Sequence, residues 1–212
     1  MNNYIWINPV VEQMYKNNLK QLINELNIKG YKVVKGSCQQ KKVKNKFMSL
    51  CKKIDNHIIL DTRCPAAVDY IKQNIELDGI HIPQIEPILI HAARELFDLY
   101  IKKDERATLT ITTPCESLKE LGKNIFKQEG KDRIFFKTWN EMCETFNIEK
   151  VEKCLESPIP LGFFKELGQN VLELSGKKEM IEGVTRVINN EVNARLIEML
   201  LCKEGCNNGD GV

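Results

Sequence analysis

The sequence has no apolar stretch near the ~20 residues that a membrane-spanning helix needs, so nothing in it reads as a helical anchor. Its first residues, MNNYIWINP, have neither the basic segment nor the long apolar core of a secretory signal. The expectation is therefore a cytoplasmic setting, where thiols stay reduced, with no membrane partner. A dominant charge is missing too. Lys and Arg number 31 against 29 Asp and Glu, and a net charge of +2 offers no broad electrostatic case for nucleic acid. Internal repeats and low-complexity segments are absent, as is a GxGxxG fingerprint. Gly176-Lys177-Lys178 lacks the upstream glycine and the following Ser or Thr of a phosphate-binding loop.

What remains is an ordinary globular composition, 42% hydrophobic and 28% charged over 212 residues. That length suits one large domain or two small lobes with a real core. Short β-rich runs alternate with helical patterns. Strands are predicted at Tyr4–Ile7, Tyr31–Val34, His57–Leu60, Thr108–Thr112 and Arg133–Phe136. Helices are predicted over 11–28, 65–75, 87–102, 116–126 and 176–189, two of them opened by Pro65 and Pro87. An apolar run, Leu196–Leu201, precedes Cys202 directly. This alternation predicts an α/β protein with mostly parallel strands. The run Lys41-Lys42-Val43-Lys44-Asn45-Lys46, with Lys52 and Lys53 beyond it, reads as a solvated loop or helix face, the alternative being a docking patch for an acidic partner.

Cysteine is the residue in surplus, with eight in the chain. In a reducing compartment these are thiols or metal ligands rather than disulfides. Cys64 follows one predicted strand and precedes a helix, and Cys115 repeats that arrangement. Cys202 and Cys206 follow the apolar run, in a Gly- and Asn-rich end unsuited to a core. Ligands in open α/β sheets bind beyond the carboxyl ends of the strands, so these thiols have the address of a site. Helix N-termini after Cys64 and Cys115 would favour thiolate there. Four thiolates suit zinc or an iron–sulfur cluster, and two cysteines standing singly fit zinc ribbons poorly. Cys38, Cys51, Cys143 and Cys154 lack such spacing and read as structural thiols. His91 reads as a packed or solvated histidine with a cluster-facing role as the alternative, and Glu86 as a helix-start carboxylate or a proton carrier.

Cys64-Pro65, Pro114-Cys115 and Cys202-Lys203-Glu204-Gly205-Cys206 with Gly209 and Gly211, in this order, resemble the cluster-binding domain of [FeFe]-hydrogenases. EPILIHAAREL is similar to the helix between that family's first two motifs, and ELSGKKEMIEGVTRVINN to the one before the last, particularly in the sensory branch. The resemblance runs from Tyr4 to Gly211 and implies one domain over 1–212. Its lobe A would hold about residues 1–80 plus 160–212 and its lobe B about 81–159, with an iron–sulfur site between the lobes. It also implies a [4Fe–4S] cluster on Cys64, Cys115, Cys202 and Cys206, and a redox partner, either a ferredoxin-like protein, a flavoprotein or a partner subunit.

The departures fall on the diiron half of that family's site. Arg63 stands where efficient members carry a proton-delivering cysteine, and an arginine stays protonated. Leu118 stands where a lysine contacts a diiron ligand, with Lys119 one residue on. Thr113 replaces a usual methionine, Glu86-Pro87-Ile88 replaces Ser-Pro-Gln, and the N-terminal ferredoxin cysteines are absent. The implied protein keeps the cubane without the diiron subcluster. It would act in electron transfer, in redox or gas sensing, or at an open cluster iron. The alternatives are a true but slow hydrogenase using Lys119, and a structural or interaction subunit that binds zinc or no metal.

Overall fold

The computed structural model describes residues 2–54, 57–154 and 156–212. In chain order its elements are β1 (Asn3–Trp6), α1 (Pro9–Met14), α2 (Leu19–Ile28), β2 (Tyr31–Val33), α3 (Gln40–Lys53) and β3 (Ile58–Leu60). Next come α4 (Pro65–Asn74), β4 (Ile80–His81), α5 (Ile88–Tyr100), β5 (Thr108–Thr113), α6 (Glu116–Gln128) and β6 (Ile134–Thr138). Last come α7 (Trp139–Phe146), β7 (Val171–Ser175), α8 (Lys177–Ile188) and β8 (Leu196–Leu200). Among the described residues no helix is long and apolar enough to cross a membrane.

The chain divides into two compact units, one of residues 1–38, 89–158 and 207–212, the other of 39–88 and 159–206. Each has a four-stranded, all-parallel sheet flanked by helices, as the alternating pattern predicts. The first sheet runs β2-β1-β5-β6, and the pairing of Tyr4 with both Lys32 and Leu109 fixes its register. That β1–β5 pairing places residues 1–38 with 89–158, whereas the sequence-based lobe A grouped them with 160–212. Ile90, Leu96, Leu109, Ile111, Phe126 and Phe136 centre its core.

The second sheet runs β4-β3-β8-β7, with Leu60 registered against Ile197. All five residues of β8 are buried, as befits a central parallel strand covered on both faces. One apolar cluster joins α4 and α8 to the sheet through Ile71, Met180 and Val184. Another seats α3 through Val43 and Phe47 against Ile59, Phe164 and Leu196.

The helix predicted over 11–28 is two helices, because Tyr15 ends α1 and is tied elsewhere. Its hydroxyl donates to the Glu149 carbonyl at 2.7 Å, and its ring meets Trp139 edge-on at 5.6 Å. Asn17 and Asn18, weak helix formers, fill the break. The sequence reading did not assign β4, α7 or β7, and it left α3 open between a loop and a helix face. The start of α7 carries a readable signal, a capping box in which Thr138 and Glu141 satisfy each other's backbone N–H groups.

Candidate functional site

In the second unit β3 and β8 are parallel neighbours, so the loops after them leave the same end of the sheet, although β8 runs three residues past Ile197, the partner of the last β3 residue Leu60. One loop, Asp61–Cys64, leads into α4, whose first residue is Pro65. The other runs from Leu201 through Cys202 to Cys206. Cys64 and Leu201 belong to one apolar cluster. Burial pushes the Cys64 thiol up, while the Leu201 and Ala67 peptide groups beside its sulfur pull it back in part. The second loop is a built turn. The Gly205 N–H donates to the Cys202 carbonyl at 3.2 Å. Ser175, at the end of β7, donates to that same carbonyl at 3.3 Å and accepts from the Glu204 N–H at 2.7 Å. Glu204 and Gly205 take left-handed φ values of 66° and 124°, the second a conformation that suits glycine.

Next to Cys64 lies a buried ion cluster. Arg63 grips Asp61 through Nε at 3.0 Å and Nη2 at 2.7 Å, and Nη2 also reaches Glu198 Oε1 at 2.8 Å. The Arg63 side chain is 4% exposed and both carboxylates 0%. Its guanidinium carbon sits 3.9 Å from the Phe163 ring centre and 4.8 Å from that of Phe164. Glu198 accepts from the Phe163 and Phe164 N–H groups at 3.0 and 3.3 Å, and Asp61 from the Arg63 N–H at 2.9 Å. Burial opposes charge on Arg63, but Asp61 and Glu198 outweigh it and hold its pKa above the ordinary value. Burial, with Asp61 nearby, pushes the Glu198 carboxyl up against the pull of Arg63. Arg63 Nη1 has no hydrogen-bond partner among the described residues. Asp61 and Glu198 were not singled out from the sequence. The signal was available: a glutamate inside the apolar strand LIEML must find a partner.

In the first unit Cys115 stands between β5 and α6, and the C-terminal tail lies against it. The Gly211 N–H donates to the Pro114 carbonyl at 3.1 Å, and the Asn140 N–H to the Gly211 carbonyl at 3.0 Å. The Glu116 N–H donates to Asp210 Oδ1 at 3.0 Å. A Cβ at Gly211 would fall 2.9 Å from the Cys115 nitrogen, so only glycine fits this approach. Asn207 donates to the Cys154 carbonyl at 2.8 Å and Lys153 to the Gly209 carbonyl at 3.2 Å, completing the anchorage. Leu118 is 8% exposed in the apolar core. Lys119 is held by Glu116 at 2.7 Å and Glu141 at 2.8 Å, bonds that raise its pKa despite burial.

Of the four predicted ligands, the structure therefore sets Cys64 beside the peptide that leads into the Cys202–Cys206 turn, and Cys115 under the tail of the other unit. None of the eight cysteines is in a disulfide. Among the described residues no three His, Cys, Asp or Glu side chains are grouped as a metal ion would need. Cys143 is buried, Cys51 is half-buried in an apolar cluster, and Cys38 is exposed. His91 is buried on α5.

Comparison with solved structures places this architecture. An apo [FeFe]-hydrogenase HydA1 from Chlamydomonas reinhardtii, a cysteine-to-histidine variant, matches with a TM-score of 0.57 at 12% identity, over 99% of this chain and 79% of that one. A HydA structure described as revealing stepwise H-cluster assembly matches with a TM-score of 0.56 at 12% identity and the same coverage of both chains. A glutamate-to-glutamine variant of the algal HydA1 gives 0.54, also at 12% identity, over 99% and 79% of the two chains. The fold is hydrogenase-like. At this identity the likeness concerns the backbone and does not reach the sensory branch that the sequence pattern suggests. No protein-family model matches the sequence, and no curated protein matches it either.

Proposed function

We propose that this chain is an iron–sulfur protein that binds a [4Fe–4S] cluster through Cys64, Cys115, Cys202 and Cys206 and works without a diiron subcluster. The observation that carries the reading is the placement of three cysteine peptides directly after the inner strands β3, β5 and β8 of a hydrogenase-like fold. The donor chemistry fits. The Cys64 sulfur lies in a largely apolar setting beside two peptide groups, and the Cys202–Cys206 turn has its backbone fixed by Ser175. Bound there, a cubane would supply one-electron redox chemistry.

The diiron half is argued from what the residues are already committed to. Arg63 is locked between Asp61 and Glu198, so it offers no proton. Lys119 is engaged by two glutamates, which counts against the slow-hydrogenase reading. Electron transfer, sensing through the redox state of the cluster, or chemistry at an open cluster iron are the roles this reading leaves, with a redox partner protein in the cytoplasm.

Anaerobic reconstitution with iron and sulfide tests this. The expected product is brown, with broad visible absorption and about four irons per chain. Serine at 64, 115, 202 or 206 should each remove most of that iron, while serine at 38, 51, 143 or 154 should not. A colourless protein with one zinc would establish the structural-subunit reading instead. Hydrogen evolution after addition of a synthetic diiron cofactor, at rates typical of efficient hydrogenases, would overturn the claim about the diiron half.

A further inference from the structure

Helix α3 carries Lys41, Lys42, Lys44, Lys46, Lys52 and Lys53 and no acidic residue. Setting these six aside leaves 25 Lys and Arg against 29 Asp and Glu, so the rest of the chain is acidic and the positive charge is concentrated on one helix. Val43 and Phe47 are wholly buried and fix the inward face of that helix. Lys42, Lys46 and Lys53 then follow one another along an outward stripe at helical spacing. With His81 of the edge strand β4 they line a groove of about 560 Å³, to which Leu50 and Ile85 add apolar surface. Lys44 reaches Glu166 at 3.2 Å. Lys42 and Lys53 have no ion-pair partner among the described residues.

We propose that this groove docks an acidic protein segment that carries apolar side chains between its carboxylates. Three observations select that occupant. Lys42 and Lys53 stand about 16 Å apart at helical rise, too far for one phosphate group to bridge and matched to about three turns of an acidic helix. The stripe contains no arginine and the groove no Phe, Tyr or Trp, His81 being its single aromatic ring, so it lacks the phosphate fork and offers little of the stacking platform of a nucleic-acid site. The apolar surface at Leu50 and Ile85, between the lysines and the sheet edge, fits aliphatic side chains. The groove also touches the Cys64 loop, because Thr62 Oγ1 donates to the Ile85 carbonyl at 2.7 Å. The docking itself is independent of the cluster; only its use for electron delivery rests on the function proposed above.

Fluorescence anisotropy on the full chain, with its iron content recorded, tests the proposal. The probes are a labelled Glu–Leu copolymer peptide, its Gln–Leu counterpart and a single-stranded oligodeoxynucleotide of equal charge. The Glu–Leu peptide should bind, and bind about tenfold more weakly when salt rises from about 50 to about 300 mM. The double variant Lys42→Glu with Lys53→Glu should weaken it by at least about tenfold, the Gln pair by less, and Lys123→Glu with Lys178→Glu on other helices not at all. Equal binding by all variants, or preference for the Gln–Leu peptide, overturns the proposal. Tighter binding of the oligonucleotide overturns it in favour of a nucleic-acid face. Iron content decides the cluster reading separately, so the two can fail apart.

Discussion

Arg63 and Glu198 are joined by a 2.8 Å charge-assisted hydrogen bond between side chains that are 4% and 0% exposed. That bond ties the loop carrying Cys64 to the strand leading to Cys202, and Asp61 supports it from the other side. Removing one partner from such a buried cluster costs about 3–5 kcal/mol, because the remaining charge stays desolvated. Glu198→Leu should therefore lose at least that much in urea unfolding, since it also strands the Phe163 and Phe164 N–H groups. Glu198→Gln keeps an acceptor oxygen and should lie between Leu and wild type. Arg63→Cys should likewise destabilise, leaving two buried carboxylates facing each other, and Asp61→Asn with Glu198→Gln should recover much of the loss. If Glu198→Leu unfolds like wild type, the cluster does not hold these loops.

Acid titration gives a second check. Hydrogen bonds from Arg94 and Lys131 hold Glu129 down to about 2, from an ordinary value of 4.5. A depressed carboxyl contributes stability above pH 4.5 and loses it as pH falls toward 2. Wild type should thus lose stability over that window relative to Glu129→Gln, and the two curves should run parallel above it. The pair is partly exposed and screened, so the difference should stay below about 1 kcal/mol. Parallel curves throughout would show that the pair contributes nothing.

Gly211→Ala examines the tail. The added Cβ would press on the Cys115 nitrogen at 2.9 Å, so residues 207–212 should lift away. Hydrogen exchange should then quicken at the Glu116 and Asn140 amides, which donate to Asp210 and Gly211. Exchange at β1, β2 and β8 should not change. Unaltered protection at Glu116 and Asn140 would refute the docking.

Thiol labelling of the metal-free chain should rank the cysteines by environment. Cys38 is exposed and should react first. Burial raises the Cys143 thiol, and Cys143 is also the most enclosed of the eight, so it should react last under native conditions. Cys51 and Cys64, raised by burial as well, should fall between them. Early modification of Cys143 would contradict its placement in the core.

The α/β architecture was legible because β1, β3, β5 and β8 are dense in branched or aromatic residues, bounded by helices with clear apolar stripes. So was the position of each cysteine after its strand, which needs only the local pattern. Short elements were not, nor was α3, whose lysine-rich sequence masks the Val43 and Phe47 stripe. β4 has two residues and owes its existence to pairing with β3, and β7 has a polar residue at its centre. The capping box of α7 was present in the sequence, at Thr138 and Glu141 just past the predicted strand Arg133–Phe136, and went unread. The Arg63–Glu198 pair spans 135 residues and forms only through the β3–β8 register, which no local window contains.

The chain crosses between its units after residues 38, 88, 158 and 206, so neither unit is a contiguous fragment. A ribosome would complete the first sheet once Thr138 had emerged. The hydrogen bonds that cover Pro114 and Cys115, by contrast, wait for Asp210 and Gly211. During synthesis the Cys115 peptide therefore stays uncovered until Asp210 and Gly211 have emerged, long after Cys115 itself. Order of synthesis, as well as final geometry, therefore decides when that peptide is covered.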